Sequence, residues 1–126
     1  VDMLADLLKT AVRYFDSEKG LWYQVLSDPG RDGNWCETSC SSLFAYAYHK
    51  AARMGYVDKS YSAVAKRAYE GIINILEYDD DGIVIPEISV GTNVMCTYEE
   101  YAARTRAKND NHGTGTFVLM CSEFFL

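Results

Sequence analysis

Asn109-Asp110-Asn111-His112 sets two amides, a carboxylate and an imidazole in four consecutive positions, just ahead of Gly113-Thr114-Gly115. Histidine exchanges its proton near neutrality, so His112 could donate to a substrate carboxylate or take part in proton transfer. Asp110 would supply a second acid group beside it. Both residues also have a plainer use, because a His at a loop-to-helix junction orders the turn and a helix-entry Asp accepts backbone N–H groups. A second concentration of polar and aromatic groups lies between residues 22 and 39: Trp22, Tyr23, Gln24, Asp28, Arg31, Trp35, Glu37 and Ser39. Rings beside carboxylates and amides suit a carbohydrate, since a ring stacks on sugar C–H groups while polar side chains bond the hydroxyls. Here too the alternatives are structural, with Trp22 as core packing and Glu37 and Ser39 as the cap of a following helix.

Both clusters must be held by helices. Leu4, Leu7, Leu8, Ala11, Val12 and Phe15 recur at three- and four-residue steps, which predicts a helix over 2–15 with one buried face. Asp-Ser-Glu-Lys-Gly closes it, and Gly20 can take the left-handed conformation that a reversal needs. A short extended arm over 21–26 and a Pro29/Gly30/Gly33 loop follow. Thr38 or Ser39 is the expected N-cap of a second helix running to residue 54, with an apolar face of Cys40, Leu43, Phe44, Ala47, Tyr48, Ala51 and Met54, and Gly55 as its stop. A third helix is expected from residue 58, capped by Asp58 or Ser60, with a stripe through Tyr61, Val64, Ala65, Ala68, Ile72, Ile75 and Leu76. Asp79-Asp80-Asp81-Gly82 ends it, residues 83–90 extend, and Gly113-Thr114-Gly115-Thr116 leads into a last helix carrying Phe117, Val118, Met120, Cys121, Phe124 and Phe125. Helix, acidic-Gly turn, arm, loop and helix thus occur twice, with a spacing of about 60 residues. The predicted fold is all-α, two helical hairpins whose long loops emerge on one edge, where function is expected.

Several stretches in the same order resemble glycoside hydrolase family 105, the unsaturated rhamnogalacturonyl and glucuronyl hydrolases, and its relative family 88. Leu21-Trp22-Tyr23-Gln24-Val25-Leu26-Ser27-Asp28 resembles the family's Trp-x-Gln-Val-Leu-Asp arm. Glu37-Thr38-Ser39-Cys40-Ser41-Ser42-Leu43-Phe44-Ala45-Tyr46-Ala47 resembles its Glu-Ser-Ser and Met-Phe-x-Tyr-Ala helix. Gly55-Tyr56-Val57-Asp58 and Tyr69-Glu70-Gly71 match the next turn and helix, and Asn109-Asp110-Asn111-His112-Gly113-Thr114-Gly115-Thr116-Phe117 is similar to an Asn-Asp-x-His-Gly-x-Gly-x-Phe segment near the C-terminus. The resemblance implies an α/α barrel (toroid) of six hairpins, of which residues 1–126 would be the C-terminal part, about one third. It also implies hydration of the enol-ether double bond of unsaturated uronic acids, with an Asp as proton donor. No position here matches that Asp, so no catalytic residue is assigned and the chain alone is expected to be inactive. Substrate contacts are expected from Trp22, Gln24, Glu37, Ser39, Asn109, Asp110 and His112.

Composition narrows the competing classes. With 48% hydrophobic and 24% charged residues the chain can bury a core. A net charge of -6 with scattered basic residues argues against a nucleic-acid partner, and no apolar run approaches the roughly 20 residues of a membrane span. The four cysteines are read as reduced, which favours a cytoplasmic setting while leaving localisation open. Cys36 and Cys40 have no paired second half of a metal site, and Gly113-x-Gly115 lacks the context of a phosphate loop. No cofactor or metal is expected. The expected partners are an oligosaccharide and the missing N-terminal hairpins, which would cover an apolar flank otherwise open to self-association. A free-standing helical binding module and another α/α-barrel sugar enzyme, such as an epimerase, are the alternatives.

Overall fold

In a computed structural model describing residues 1–126, the opening amphipathic segment forms α1 (Asp2–Ala11) and tightens into a 3-10 turn, Val12–Tyr14. The other helices are α2 (Thr38–Arg53), α3 (Tyr61–Ile75), α4 (Tyr98–Ala102) and α5 (Asn111–Phe124). Two antiparallel hairpins punctuate the second half. β1 (Glu77–Asp79) pairs with β2 (Gly82–Val84), and β3 (Ile88–Ser89) with β4 (Arg106–Ala107) in the register Ile88↔Ala107 and Ser89↔Arg106. The chain is therefore predominantly helical; the expected arm over 83–90 appears as the short strands β2 and β3, whereas the arm over 21–26 forms no strand and makes only the isolated bridges Asp16↔Leu21 and Tyr23↔Cys36. No helix is long and apolar enough to cross a membrane.

α2 is the central element, packed against α3 on one side and α5 on the other. Its position corrects the expected apolar face. Ser41, Ser42, Ala45, Tyr48, Ala51 and Ala52 are buried, whereas Leu43 and Met54 are exposed. A helix with neighbours on two sides needs small residues to let both approach, so the interhelical rows are Ala and Ser rather than Leu and Met. Aromatic rings fill the remaining space. Trp22 stacks on Tyr48 at 5.8 Å between centroids, and Tyr48 on Tyr61 at 5.8 Å. The polar ends of two of these rings bond carbonyls in the last turn of α1, where the Leu8 carbonyl also accepts the Val12 N–H. Trp22 Nε1 donates to the Ala11 carbonyl at 2.8 Å and the Tyr48 hydroxyl to that of Leu8 at 2.5 Å.

Gly20, at φ +75°, makes the reversal after α1 and presses it onto α3 at Gly71. A Cβ on Gly71 would stand 2.5 Å from the Lys19 carbonyl oxygen and 2.6 Å from that of Gly20. Arg67 of α3 reinforces the crossing by donating to the Ser17 and Glu18 carbonyls. The helix boundaries depart from expectation for local reasons. The Asp58 carboxylate accepts the Ser60 N–H in a turn that precedes α3, so the helix starts only at Tyr61. α5 begins at Asn111, ahead of Gly113 and Gly115, because Asp110 caps it. α4 is additional to the four expected helices and stands on a reciprocal capping box between Thr97 and Glu100. Val118, Leu119 and Phe125 of the α5 region are exposed, as are Met3 and Leu7 of α1.

Candidate functional site

α2 and α5 run side by side in the same direction. Arg53 near the end of α2 meets Glu123 near the end of α5, and the starts of both helices border one depression of about 380 Å³. That volume lies at the small end of the range for ligand sites, about 300–1,000 Å³. Gln24, Glu37, Ser39 and His112, all expected at the site, line it, together with Cys40, Leu43, Ser89, Gly91, Thr92 and Thr116.

Glu37 is the N-cap of α2, displacing Thr38 and Ser39 from that role. Its carboxylate accepts the Cys40 N–H at 2.6 Å, the Ser89 N–H at 2.9 Å and the Ser39 hydroxyl at 2.8 Å from either oxygen. One buried carboxylate therefore joins the start of α2 to β3. The register of β3 against α5 depends in turn on Gly113, since a Cβ there would lie 2.5 Å from Ile88 Cδ1. Only a glycine lets Ile88 seat against α5 and bring Ser89 to Glu37.

Asp110 caps α5 through the His112 N–H at 2.9 Å and also holds His112 Nδ1 at 2.6 Å. Its carboxyl sits below the usual carboxylate range, first because of the His112 backbone N–H and then because of the imidazole. The pairing leaves His112 Nε2 turned toward Gly91, at 3.8 Å from where a Cβ on that residue would stand. Among the lining side chains His112 alone can carry a positive charge. Gln24 donates to the Thr92 hydroxyl at 3.2 Å, and Ser89 Oγ lies 3.2 Å from the same atom. Burial, followed by the nearby Glu37 carboxylate, pushes the Cys40 thiol far above its ordinary value, so it is a packed group and no nucleophile.

Two expected contacts are corrected. Trp22 is fully buried between Phe15, Phe44 and Tyr48, so its ring serves the core and offers no sugar-stacking face. Asn109, at φ +52°, bonds β2 and its exit, accepting the Ile85 N–H at 2.8 Å and donating to the Ile83 carbonyl at 3.4 Å, and it stays outside the depression. Asp110 reaches the site through His112. Ser89, Thr92 and Thr116 were missed, because lone hydroxyl residues carry no periodic or spacing signal. No three His, Cys, Asp or Glu side chains converge as a metal cluster, Cys36 and Cys40 included.

The two long loops also clasp each other directly. The Arg31 guanidinium lies 3.7 Å above the Tyr98 ring and 2.6 Å from Glu99, and Trp35 Nε1 donates to the Ala102 carbonyl at 3.0 Å.

A helical-hairpin domain with a polar, hydroxyl-rich depression at the joined helix starts is the class that fold and site define. Residues 1–125 match the model of Glycosyl Hydrolase Family 88, and the chain belongs to that family. Its fold is similar to that of a family 105 glycoside hydrolase of C. acetobutylicum, with a TM-score of 0.87 and 30% identity over 94% of this chain and 35% of the other. A possible family 105 member from Salmonella enterica gives a TM-score of 0.80 at 27% identity, over 93% of this chain and 29% of the other. Over 72 residues the chain is also 38% identical to Protein Atu3128 of Agrobacterium fabrum and to the 24.9 kDa protein in the picA locus of Rhizobium radiobacter, covering 53% of this chain and 31% of each relative. The chain thus spans about a third of the length of the first of these solved structures.

Proposed function

We propose that this chain forms one wall of the substrate cleft in a larger α/α barrel of six hairpins, and that the whole protein is a glycoside hydrolase acting on oligosaccharides that end in an unsaturated uronic acid. Family membership supports the hydrolase class, and the apolar flanks of α1 and α5 suit cover by further hairpins of the same barrel. The observation that carries the substrate reading is the His112 imidazole, oriented by Asp110 and set in a depression whose other polar groups are neutral or already paired. His112 Nε2 bonds the uronate carboxylate, while Gln24 and the hydroxyls of Ser39, Thr92 and Thr116 meet sugar hydroxyls. Glu37 positions Ser39 and Ser89 and does not touch the sugar. The reaction adds H and OH across the enol-ether double bond. A proton goes to the vinyl carbon and water oxygen to the ring carbon bearing the ether oxygen, and the resulting hemiketal rearranges to release the remaining chain. The proton comes from an aspartate on hairpins outside this chain, so residues 1–126 alone are inactive.

The test is turnover of an unsaturated disaccharide by the full-length protein in D2O. Loss of the ultraviolet absorbance of the double bond, with one deuterium in the product at the former vinyl carbon, is expected. His112→Ala should raise KM by about 10- to 100-fold, the loss of a charge-assisted hydrogen bond. Cleavage of saturated glycosides without deuterium uptake would refute the reading.

A further inference from the structure

Toward the far end of α2 from the joined helix starts, a depression of about 340 Å³ opens between that helix and the entry to α3. His49, Ala52 and Arg53 of α2 line it on one side, Lys59 and Ser62 on the other. It shares no residue with the depression at His112, and about 15 Å of helix separates His49 from Thr38 in the first turn of α2. Five of the twelve Lys and Arg residues, Lys50, Arg53, Lys59, Lys66 and Arg67, fall within residues 50–67, a stretch that holds one of the eighteen acids, Asp58. The sequence around the depression is thus locally basic in a chain of net charge -6. We propose that this depression binds a phosphate group, free or as the monoester of a small metabolite.

The lining groups are held in place yet keep bonding capacity for a ligand. Arg53 donates from Nε to Glu123 Oε1 at 2.7 Å and from Nη2 to Oε2 at 3.2 Å, which fixes the guanidinium and leaves Nη1 unengaged. His49 turns Nδ1 to Glu123 at 3.4 Å, and its ring stacks on Phe124 at 4.2 Å, itself stacked on Tyr69 of α3 at 4.6 Å. With Nδ1 donating to the carboxylate, Nε2 accepts the P–OH of a hydrogen phosphate when the ring is neutral and donates to a phosphate oxygen when it is protonated. Lys59 Nζ and Ser62 Oγ have no protein partner at all. Glu123 is 3% exposed beneath these side chains, and Asp58 accepts the Ser60 N–H at 2.9 Å, so no carboxylate lines the depression. Two permanent cations over one buried acid leave a single positive charge, or two with His49 protonated, against the one to two negative charges of a phosphate group near neutrality. Arg53 and His49 approach from α2, Lys59 and Ser62 from the α3 side. Donors on two sides suit the divergent oxygens of a tetrahedral oxyanion better than the two coplanar oxygens of a carboxylate. The volume exceeds what the ion alone needs and reaches the range of small-ligand sites, which leaves room for an ester group.

The experiment is calorimetric titration of the full-length protein with inorganic phosphate, glucose 6-phosphate and acetate, at an ionic strength held constant with sodium chloride so that screening does not vary. Inorganic phosphate should saturate one site per chain, and acetate should give no saturable heat. Lys59→Ala should raise the phosphate Kd by about 5- to 30-fold, the loss of one charge-assisted hydrogen bond. Lys59 is exposed and unpaired, so its removal should leave the melting temperature of the ligand-free protein unchanged. Lys59→Arg should restore most of the affinity. Lys9→Ala, on an exposed lysine of α1, should not alter it, and neither should His112→Ala, which removes the imidazole of the other depression. Tighter binding of glucose 6-phosphate than of inorganic phosphate would support a monoester as the ligand, and equal binding would support the free ion. Absence of saturable phosphate binding, equal affinity for acetate, an unchanged Kd in Lys59→Ala, or loss of binding in His112→Ala would each overturn the proposal. The titration needs no turnover, so its result is independent of what the barrel hydrolyses.

Discussion

Glu37→Gln tests whether the buried carboxylate is the joint between α2 and β3. The two backbone donors approach different oxygens, Ser89 N–H at Oε1 and Cys40 N–H at Oε2. Whichever way the glutamine amide is turned, its NH2 faces one of these N–H groups, and that bond becomes a donor-donor contact. Glu37 and Ser89 are both buried, so water does not replace it. Each bond to the ionised carboxylate contributes about 1.5–3 kcal/mol, and the glutamine retains one of them as a neutral bond of about 1 kcal/mol. Relief of charge burial offsets part of the difference. The expected net loss is about 2–3 kcal/mol, read as a lower urea midpoint with an unchanged slope. Amide exchange at Ser89 and Cys40 should accelerate more than exchange in α3. Ser39→Ala, which removes one hydroxyl donor and leaves both backbone bonds, should cost about 1 kcal/mol. Stability of Glu37→Gln within about 0.5 kcal/mol of the parent would refute the joint.

Three further outcomes follow from the packing. Gly71→Ala would gain about 1 kcal/mol of helix propensity in an open helix. Here its Cβ collides with two backbone carbonyls, so net destabilisation of about 1–2 kcal/mol is expected in thermal melts. Arg53→Ala leaves Glu123 buried beside His49 alone and should lower stability near neutrality, by less than loss of a fully buried pair because the guanidinium is 40% exposed. The Arg53 hydrogen bond holds Glu123 below its ordinary value, so the pair's contribution is full above that value and is lost as pH falls through the lower folded one. Wild type and Arg53→Ala should therefore converge in stability only once pH has fallen below the lowered folded value of Glu123. Ser42→Ala removes a buried hydroxyl that has no hydrogen-bond partner and should stabilise by about 1 kcal/mol in the same melts.

The helices were legible because burial on one face leaves a three-to-four-residue rhythm, as in α1 and α3. α2 misled because that rhythm marks apolar residues, whereas a helix between two neighbours buries its small ones, Ser41, Ser42 and Ala45. The strands are two or three residues long, too short for alternation to register. Of the residues that border the depression, Glu37, Ser39, Gln24 and His112 were legible from residue type and family-like order. Trp22 illustrates the converse, since an indole near polar groups reads the same whether it faces ligand or core, and only its contact with the Ala11 carbonyl decides. Ser89 and Thr92 arrive through the β3–β4 pairing, a long-range relation that no local pattern encodes.

The β3–β4 pairing has a consequence for where this chain can absorb change. Ile88 and Ser89 pair with Ala107 and Arg106, and the segment between them, α4 included, leaves and returns at one closed base. Residues that hold the base, Gly113 beneath Ile88 and Glu37 behind Ser89, lie outside that segment. The segment is thus a cassette in a socket. A change within it would alter the border at Gly91 and Thr92, beside Gln24, while Ser89 and the capped starts of α2 and α5 keep their places.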